Sequence, residues 1–315
     1  MTQKKAHRPL SPKGLKTYSL RSRPSKVDVR SFSRPFDPRD SFSGFLDSLP
    51  DLLAAADFKE FISRMKKARQ NEKPVLFAMG AHVIKVGLSP VLIDLMEKGW
   101  IQGLAFNGAG IIHDFEIAFC GRTSEDVESQ LKGGRFGMAR ETGVLLNRAI
   151  NGGALAGKGL GEAVGEMIDL SDFPHKNLSL LAACSRLGIP ATVHLAIGTD
   201  IIHFHPEARG EALGGTTLHD FFLFCSLVEK LEGGGVFVNI GSAVILPEVF
   251  LKALTFVRSR GRLCETFTTA VFDFIRQYRP AQNVVQRTVG EKGRGYYFVG
   301  PHEIMLPLLA AGLKS

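Results

Sequence analysis

Residues 74–115 read PVLFAMGAHVIKVGLSPVLIDLMEKGWIQGLAFNGAGIIHDF, and this stretch decides the fold. An apolar run, Val75–Met79, ends in Gly80-Ala81-His82, and a helical pattern follows over residues 90–98. A second apolar run, residues 101–106, stops at Asn107-Gly108-Ala109-Gly110 before another helical pattern that continues past Asp114 to about Phe119. Apolar run, glycine turn and helix, twice over, predict parallel strands covered by crossover helices. Glycine turns at the ends of such strands are where these sheets hold ligands, because backbone and ligand can approach closely there.

The same grammar extends along the chain. Further strands are expected at 191–197, 236–240, 266–272 and 296–299, with helices near 139–150, 161–168, 177–187, 218–231, 247–257 and 303–312. Before the first strand, Leu46, Leu49, Leu52 and Leu53, then Phe58, Phe61, Ile62 and Met65, recur at helical spacing. The fold class is therefore α/β: a mostly parallel sheet of six or more strands, helices on both faces, Rossmann-like. Residues 275–295 read as irregular. No internal repeat and no linker follow residue 45, so the expected division is an arm over residues 1–45 and one α/β domain over 46–315.

Composition narrows the function. The net charge of +8 is local: residues 1–40 hold eleven Lys/Arg against three Asp, leaving 28 of each sign in the rest. The body is neutral, and nothing in it marks a nucleic-acid binder. The arm, rich in Ser, Pro and Arg, reads as a disordered solubilising segment or as one that touches a partner. No apolar stretch reaches the roughly 18 residues of a membrane span, and the N-terminus lacks the pattern of a secretory signal. The four cysteines are far apart with no CxxC, which excludes a cysteine zinc finger and suits a reducing, cytoplasmic setting.

Several pieces carry chemistry. Asn107-Gly108-Ala109-Gly110 matches the first two glycines of GxGxxG, with His113 in place of the third; it reads as a cofactor turn or as a tight turn without ligand. Asp114 behind it reads equally as a helix-start residue. Residues 152–158 match GxxxxGK, but Gly159 stands where a P-loop needs Ser or Thr and no strand precedes, so a flexible loop is expected. After the 191–197 strand comes Thr199-Asp200-Ile201-Ile202-His203-Phe204-His205. If extended, His203 and His205 point the same way and act as acid and base or bind a transition metal. His82 and His113 also follow strand ends, so four histidines are candidates for one rim. Gly241-Ser242, after the 236–240 strand, offers backbone N–H groups and a hydroxyl to a phosphate, or simply caps a helix. The late basic stretch holds Lys292 between glycines: a candidate amine nucleophile, or a solvated loop.

In this order the pieces resemble deoxyhypusine synthase, over about residues 27–312 and most strongly over 76–119. Ile189-Pro190 before a strand, Thr199-Asp200, Gly241, Thr269-Ala270 and Leu306-Pro307-Leu308-Leu309 match in order and spacing. The resemblance implies an NAD-dependent transferase that takes hydride from a C–N carbon, makes an imine and holds the fragment on a lysine. It implies a homotetramer with sites shared across a dimer interface, whose N-terminal segment covers a neighbour's site. The implied NAD residues are Gly80, Ala81, His82, Asn107, Gly108, Ala109, Asp200, Gly241, Ser242, Thr269 and Ala270. Lys292 is the Schiff-base candidate, and His113, His203 and His205 are the acid–base candidates. The chain departs from the family at His82, which replaces an asparagine, and at Ile112-His113, which replaces paired glutamates. It also lacks the tryptophan and most of the acids of the late loop. A polyamine needs carboxylates to replace its lost hydration, so weak spermidine binding and a neutral or anionic substrate are expected. Two other readings are a metal-dependent enzyme built on His82, His113, His203 and His205, and a non-catalytic scaffold binding a partner through the basic arm.

Overall fold

The computed structural model describes residues 7–315. Six strands form one all-parallel sheet: β1 (Val75–Met79), β2 (Gly103–Asn107), β3 (Ala191–His194), β4 (Val236–Ile240), β5 (Thr268–Asp273) and β6 (Arg294–Val299). Their spatial order is β3-β2-β1-β4-β5-β6. The chain winds outward from β1 to β3, returns to the other side of β1, and winds outward again. That is the doubly wound dinucleotide-binding order, and its direction reverses between β1 and β4.

Side chains of a strand alternate between faces, and here each face has its own core. Val75, Phe77 and Met79 pack with Phe61, Met65, Phe106 and Phe272 on one side. Leu76 and Ala78 pack with Val228, Phe237 and Phe250 on the other. Both faces of β1 are thus covered, which is why its five residues read as a continuous apolar run rather than as alternation. Each such Phe or Leu contributes about 1.5–3 kcal/mol through burial.

Three segments differ from the sequence reading for local reasons. The helix after β2, Gly108–Cys120, begins at the glycine turn itself, because the Asn107 side chain accepts the Gly110 N–H at 3.1 Å and caps it. The 199–205 segment is not extended: Ile201–Phe204 forms a 3-10 turn. The stretch read as irregular contains a helical turn, Tyr278–Pro280, running into the wide π-helical turn Ala281–Gln286.

Residues 7–30 of the basic arm are exposed. The arm is tied down where it meets the domain: the Arg34 N–H donates to the Ser48 carbonyl (2.9 Å), the Asp51 N–H donates to the Ser31 carbonyl (3.0 Å), and Phe36 sits edge-on to Phe45 (5.5 Å). Residues 1–6 of the arm lie outside the described residues. No helix among the described residues is long and apolar enough to cross a membrane.

Candidate functional site

The C-terminal ends of β1, β2, β4 and β5 gather most of the polar side chains that the sequence marks out. At the reversal point two turns touch. The Gly80 N–H donates to the Ile240 carbonyl (2.9 Å) and the Gly241 N–H to the Phe272 carbonyl (3.0 Å). A Cβ at Gly80 would lie 2.3 Å from the Gly241 carbonyl oxygen, so only glycine lets β1 leave the sheet beside β4. Gly241 itself has φ +60°, the left-handed region where glycine costs least.

Beside this crossing stands a pair of histidines. His302 opens the last helix (His302–Lys314) and is 1% exposed; its ring lies 5.5 Å, edge-on, from that of exposed His82. His302 Nε2 is 3.2 Å from the Phe272 carbonyl oxygen. A carbonyl only accepts, so Nε2 carries the proton and Nδ1 is a bare lone pair, buried and without a partner. Burial lowers the His302 pKa, and the Phe272 contact opposes it. Asp273, the last residue of β5, is also buried; burial raises its pKa, while its bond from the Phe274 N–H (2.8 Å) opposes the rise.

A second group lies over β2. Asp200 comes down on the start of the Gly108–Cys120 helix, and a Cβ at Gly108 would meet its Oδ2 at 2.1 Å. Burial raises the Asp200 pKa, opposed by His203. His203 Nδ1 accepts the N–H groups of Gly198 (3.1 Å) and Asp200 (3.4 Å), so in the neutral ring Nε2 is the donor. That Nε2 is buried, unpartnered and 3.9 Å from Asp200 Oδ2. An acid at the end of β2 is where this strand order reads ribose hydroxyls; Asp200 and His203 together offer an acceptor and a donor there.

A third group sits about one and a half to two turns along the same helix. Glu116 accepts from the Thr123 hydroxyl (2.6 Å) and the Thr142 hydroxyl (3.0 Å), and Thr123 Oγ1 is 2.6 Å from His113 Nδ1. Thr123 spends its proton on Glu116, so His113 Nδ1 donates and Nε2 is left as the acceptor. Burial, with the charge of Lys85 second, lowers the His113 pKa to about 4. The ring is therefore neutral at pH 7, with Nε2 as a hydrogen-bond acceptor.

The remaining candidates fall elsewhere. Ala81 and Ala109 lie in the rim turns, half-buried. Ser242 accepts the Leu246 N–H (3.2 Å), the helix-capping alternative. His205 is not beside His203: its Nε2 contacts the Gly137 carbonyl (2.9 Å), and its ring fills the space a Cβ at Gly143 would need. The 3-10 turn is what separates the two histidines. Thr269 and Ala270 are buried near the start of β5, the opposite end from the rim, and the Thr269 hydroxyl donates to the Val284 carbonyl (2.7 Å). Lys292 is exposed in the turn before β6, in a shallow cleft with Arg64, Lys67, Gly233 and Thr268 at the N-terminal edge of the sheet. Six residues of β5, about 20 Å at ~3.3 Å per residue, separate that edge from His302. Among the described residues, no three His, Cys, Asp or Glu side chains are placed to hold a metal ion. Asp114 accepts from the Ser179 hydroxyl (2.5 Å) and the Leu180 and Leu181 N–H groups (2.8 and 3.1 Å); it caps the helix Leu180–Leu187 rather than its own. Lys158, of the rejected P-loop, pairs with Glu166. His302 and Asp273 at the rim, and the Glu116–Thr123 pair behind His113, are the residues that the sequence reading missed.

No known family's sequence profile matches the chain, and no curated protein matches it by sequence. Solved structures do. A conserved LOR/SDH protein of Methanococcus maripaludis superposes with a TM-score of 0.53 at 16% identity, over 82% of this chain and 69% of that one. A protein assigned as a deoxyhypusine synthase, from Entamoeba histolytica, superposes with a TM-score of 0.51 at 10% identity, over 89% of this chain and 95% of that one. AgrE, solved with ornithine and NAD+, gives 0.53 at 15% identity; this chain spans about a third of its length (33%). The fold is deoxyhypusine synthase-like, in a strongly diverged sequence.

Proposed function

We propose that this chain is an NAD-dependent enzyme of the deoxyhypusine synthase type, acting on an amine other than spermidine. The observation that carries the reading is the contact of Gly80 with Gly241 where the strand order reverses. Beside it lies a buried, unpartnered ring nitrogen, His302 Nδ1, and a second, His203 Nε2, lies by Asp200 over the start of the Gly108–Cys120 helix. Buried polar atoms without partners cost about 1–3 kcal/mol each, and polar groups of a bound dinucleotide would satisfy them. Gly80 and Gly241 would give the dinucleotide close backbone approach, Asp200 and His203 would read ribose hydroxyls, and NAD bound there supplies a hydride acceptor. AgrE, which shares this fold over a third of its length, has been solved with ornithine and NAD+, and this supports the reading. The site is built entirely from residues of the domain after residue 45. Its rim also carries exposed apolar side chains, Ile197, Phe204, Phe274, Ile275 and Ile304, which fits burial against other copies in a homotetramer.

Calorimetry of the purified protein tests the reading. NAD is expected to bind, with a thermal midpoint that rises with its concentration, while spermidine in the presence of NAD adds no heat; light scattering should give the mass of four chains. Spermidine binding at micromolar concentrations would restore the polyamine substrate, and absence of NAD binding would sink the assignment.

For the chemical step, His113 is the proton acceptor the geometry favours: Glu116 and Thr123 fix its tautomer and leave Nε2 bare. His113→Gln is expected to lower the rate of NADH formation with the true amine substrate by about 10²–10³-fold. It should also remove an acid limb near pH 4 from the pH–rate profile. Lys292→Ala, at the far edge of its own chain's sheet, is expected to leave that rate within about twofold. An equal loss in both variants would return Lys292 to the site and point to its delivery by a neighbouring copy.

A further inference from the structure

His302 is not among the residues that the sequence reading assigned, yet it lies at the rim against two of them, His82 and Gly241. Its Nε2 is committed to the Phe272 carbonyl at 3.2 Å. Its ring lies over the Gly241 turn: a Cβ on Gly241 would be 2.9 Å from His302 Cε1. The side chain is 1% exposed, and Nδ1 finds no donor among the described residues. Neighbouring His82 and Phe274 approach as rings, at 5.5 and 6.5 Å between centroids, without bonding to it. What the crossing presents is therefore one oriented acceptor with a fixed tautomer, walled by aromatic rings. Such an acceptor selects a planar N–H donor and rejects a ligand that places another acceptor there, because two facing lone pairs leave both groups unsatisfied.

We propose that His302 Nδ1 is a specificity-determining acceptor that reads an amino group of the bound dinucleotide, taking one N–H of a planar NH2 carried by a heteroaromatic ring either directly or through a carbonyl. This rests on the NAD reading above. NAD carries two such groups, the 6-amino group of adenine and the carboxamide of nicotinamide. Replacing adenine by hypoxanthine turns the first into an acceptor, and replacing nicotinamide by nicotinic acid turns the second into one.

The test is calorimetric titration of the full chain with NAD and with each of the two analogues. It uses wild type, His302→Phe, which keeps a ring and loses the acceptor, and His302→Asn, whose side-chain oxygen can stand close to the Nδ1 position. Wild type should bind one analogue at least about tenfold more weakly than NAD, and which one identifies the end that is read. His302→Phe should weaken NAD by a similar factor and bind NAD and that analogue alike; His302→Asn should recover the discrimination. If wild type binds NAD and both analogues equally, the proposal is overturned while the NAD reading stands, and this comparison needs no variant to fold. Discrimination by wild type that persists unchanged in His302→Phe overturns it too. If wild type binds none of the three, the NAD reading fails, and this inference with it.

Discussion

Gly80→Ala is expected to unfold the rim of the site and abolish dinucleotide binding together. The added methyl would stand 2.3 Å from a backbone carbonyl, that of Gly241, and 3.1 Å from its carbon. Neither can rotate away as a side chain would. Relief requires β1 and β4 to part where the Gly80 N–H bonds the Ile240 carbonyl. Overpacking against backbone costs about 3 kcal/mol, a fall in Tm of roughly 4–5 °C for a chain of this size, and NAD affinity should drop by at least about 100-fold. Gly214→Ala is the control. That glycine lies in the helix Gly210–Glu229 with nothing within 4 Å of the added carbon. Alanine should there be neutral or stabilise by up to about 1 kcal/mol. Thermal melts of the two variants decide; equal behaviour would mean that the β1–β4 crossing tolerates a side chain and that its glycine is not required.

The glycine turns at β1 and β2 were legible because a strand buried on both faces is a short apolar block, and its end is marked by the first residue that breaks it. The partners of those turns were not. Asp200 is 92 residues beyond Gly108, and nothing in sequence spacing says that its carboxylate fills the place of a missing Cβ. His203 and His205 were paired on the assumption of extended backbone; one 3-10 turn sends His205 to the Gly137 carbonyl instead. Lys292 and Thr269 were placed by resemblance in order along the chain, which does not distinguish one end of a parallel strand from the other. His302 was within reach of the rule that marked His82 and His113: it follows the end of β6 at Val299 by three residues. Gly300-Pro301 ahead of it reads as an ordinary helix start, and that local meaning concealed the residue.

A second large effect concerns pH and two buried carboxyls outside the rim. Asp220 is fully buried and accepts the Gly161 N–H (2.9 Å) and the Val193 N–H (2.7 Å) on one oxygen, joining the helix Leu160–Asp169 to β3. Its other oxygen has no partner. Desolvation outweighs those backbone bonds and raises the pKa to about 7; desolvation likewise raises Asp114 to about 6 against its bonds from Ser179, Leu180 and Leu181. In the unfolded chain both titrate near 4. A carboxyl whose pKa is raised by folding binds its proton more tightly in the native state. Its contribution to stability is therefore whole below about pH 4 and is lost as pH climbs through 6 and 7. The surface carboxylates act in the opposite sense: Glu60, Asp94 and Glu248 have lowered pKa values, through Arg64, Lys314 and Lys252 first, so their contribution is lost only as pH falls below about 4. Between pH 5 and 8 these buried carboxyls lower stability as pH rises, while His113, His194, His203 and His302, whose pKa values burial lowers, raise it as the unfolded chain releases their protons near about pH 6.5. The Asp220 share is therefore read as a difference between variants in denaturant melts. Asp220→Asn reproduces the protonated form, since its carbonyl oxygen can accept both N–H groups while the amide takes the unpartnered position. Its stability relative to wild type should rise by about 2–3 kcal/mol between pH 5 and 8, and it should be the more stable of the two at pH 8. A difference between Asp220→Asn and wild type that stays constant from pH 5 to 8 would mean that the backbone N–H groups hold Asp220 ionised, and that these donors rather than desolvation govern the site.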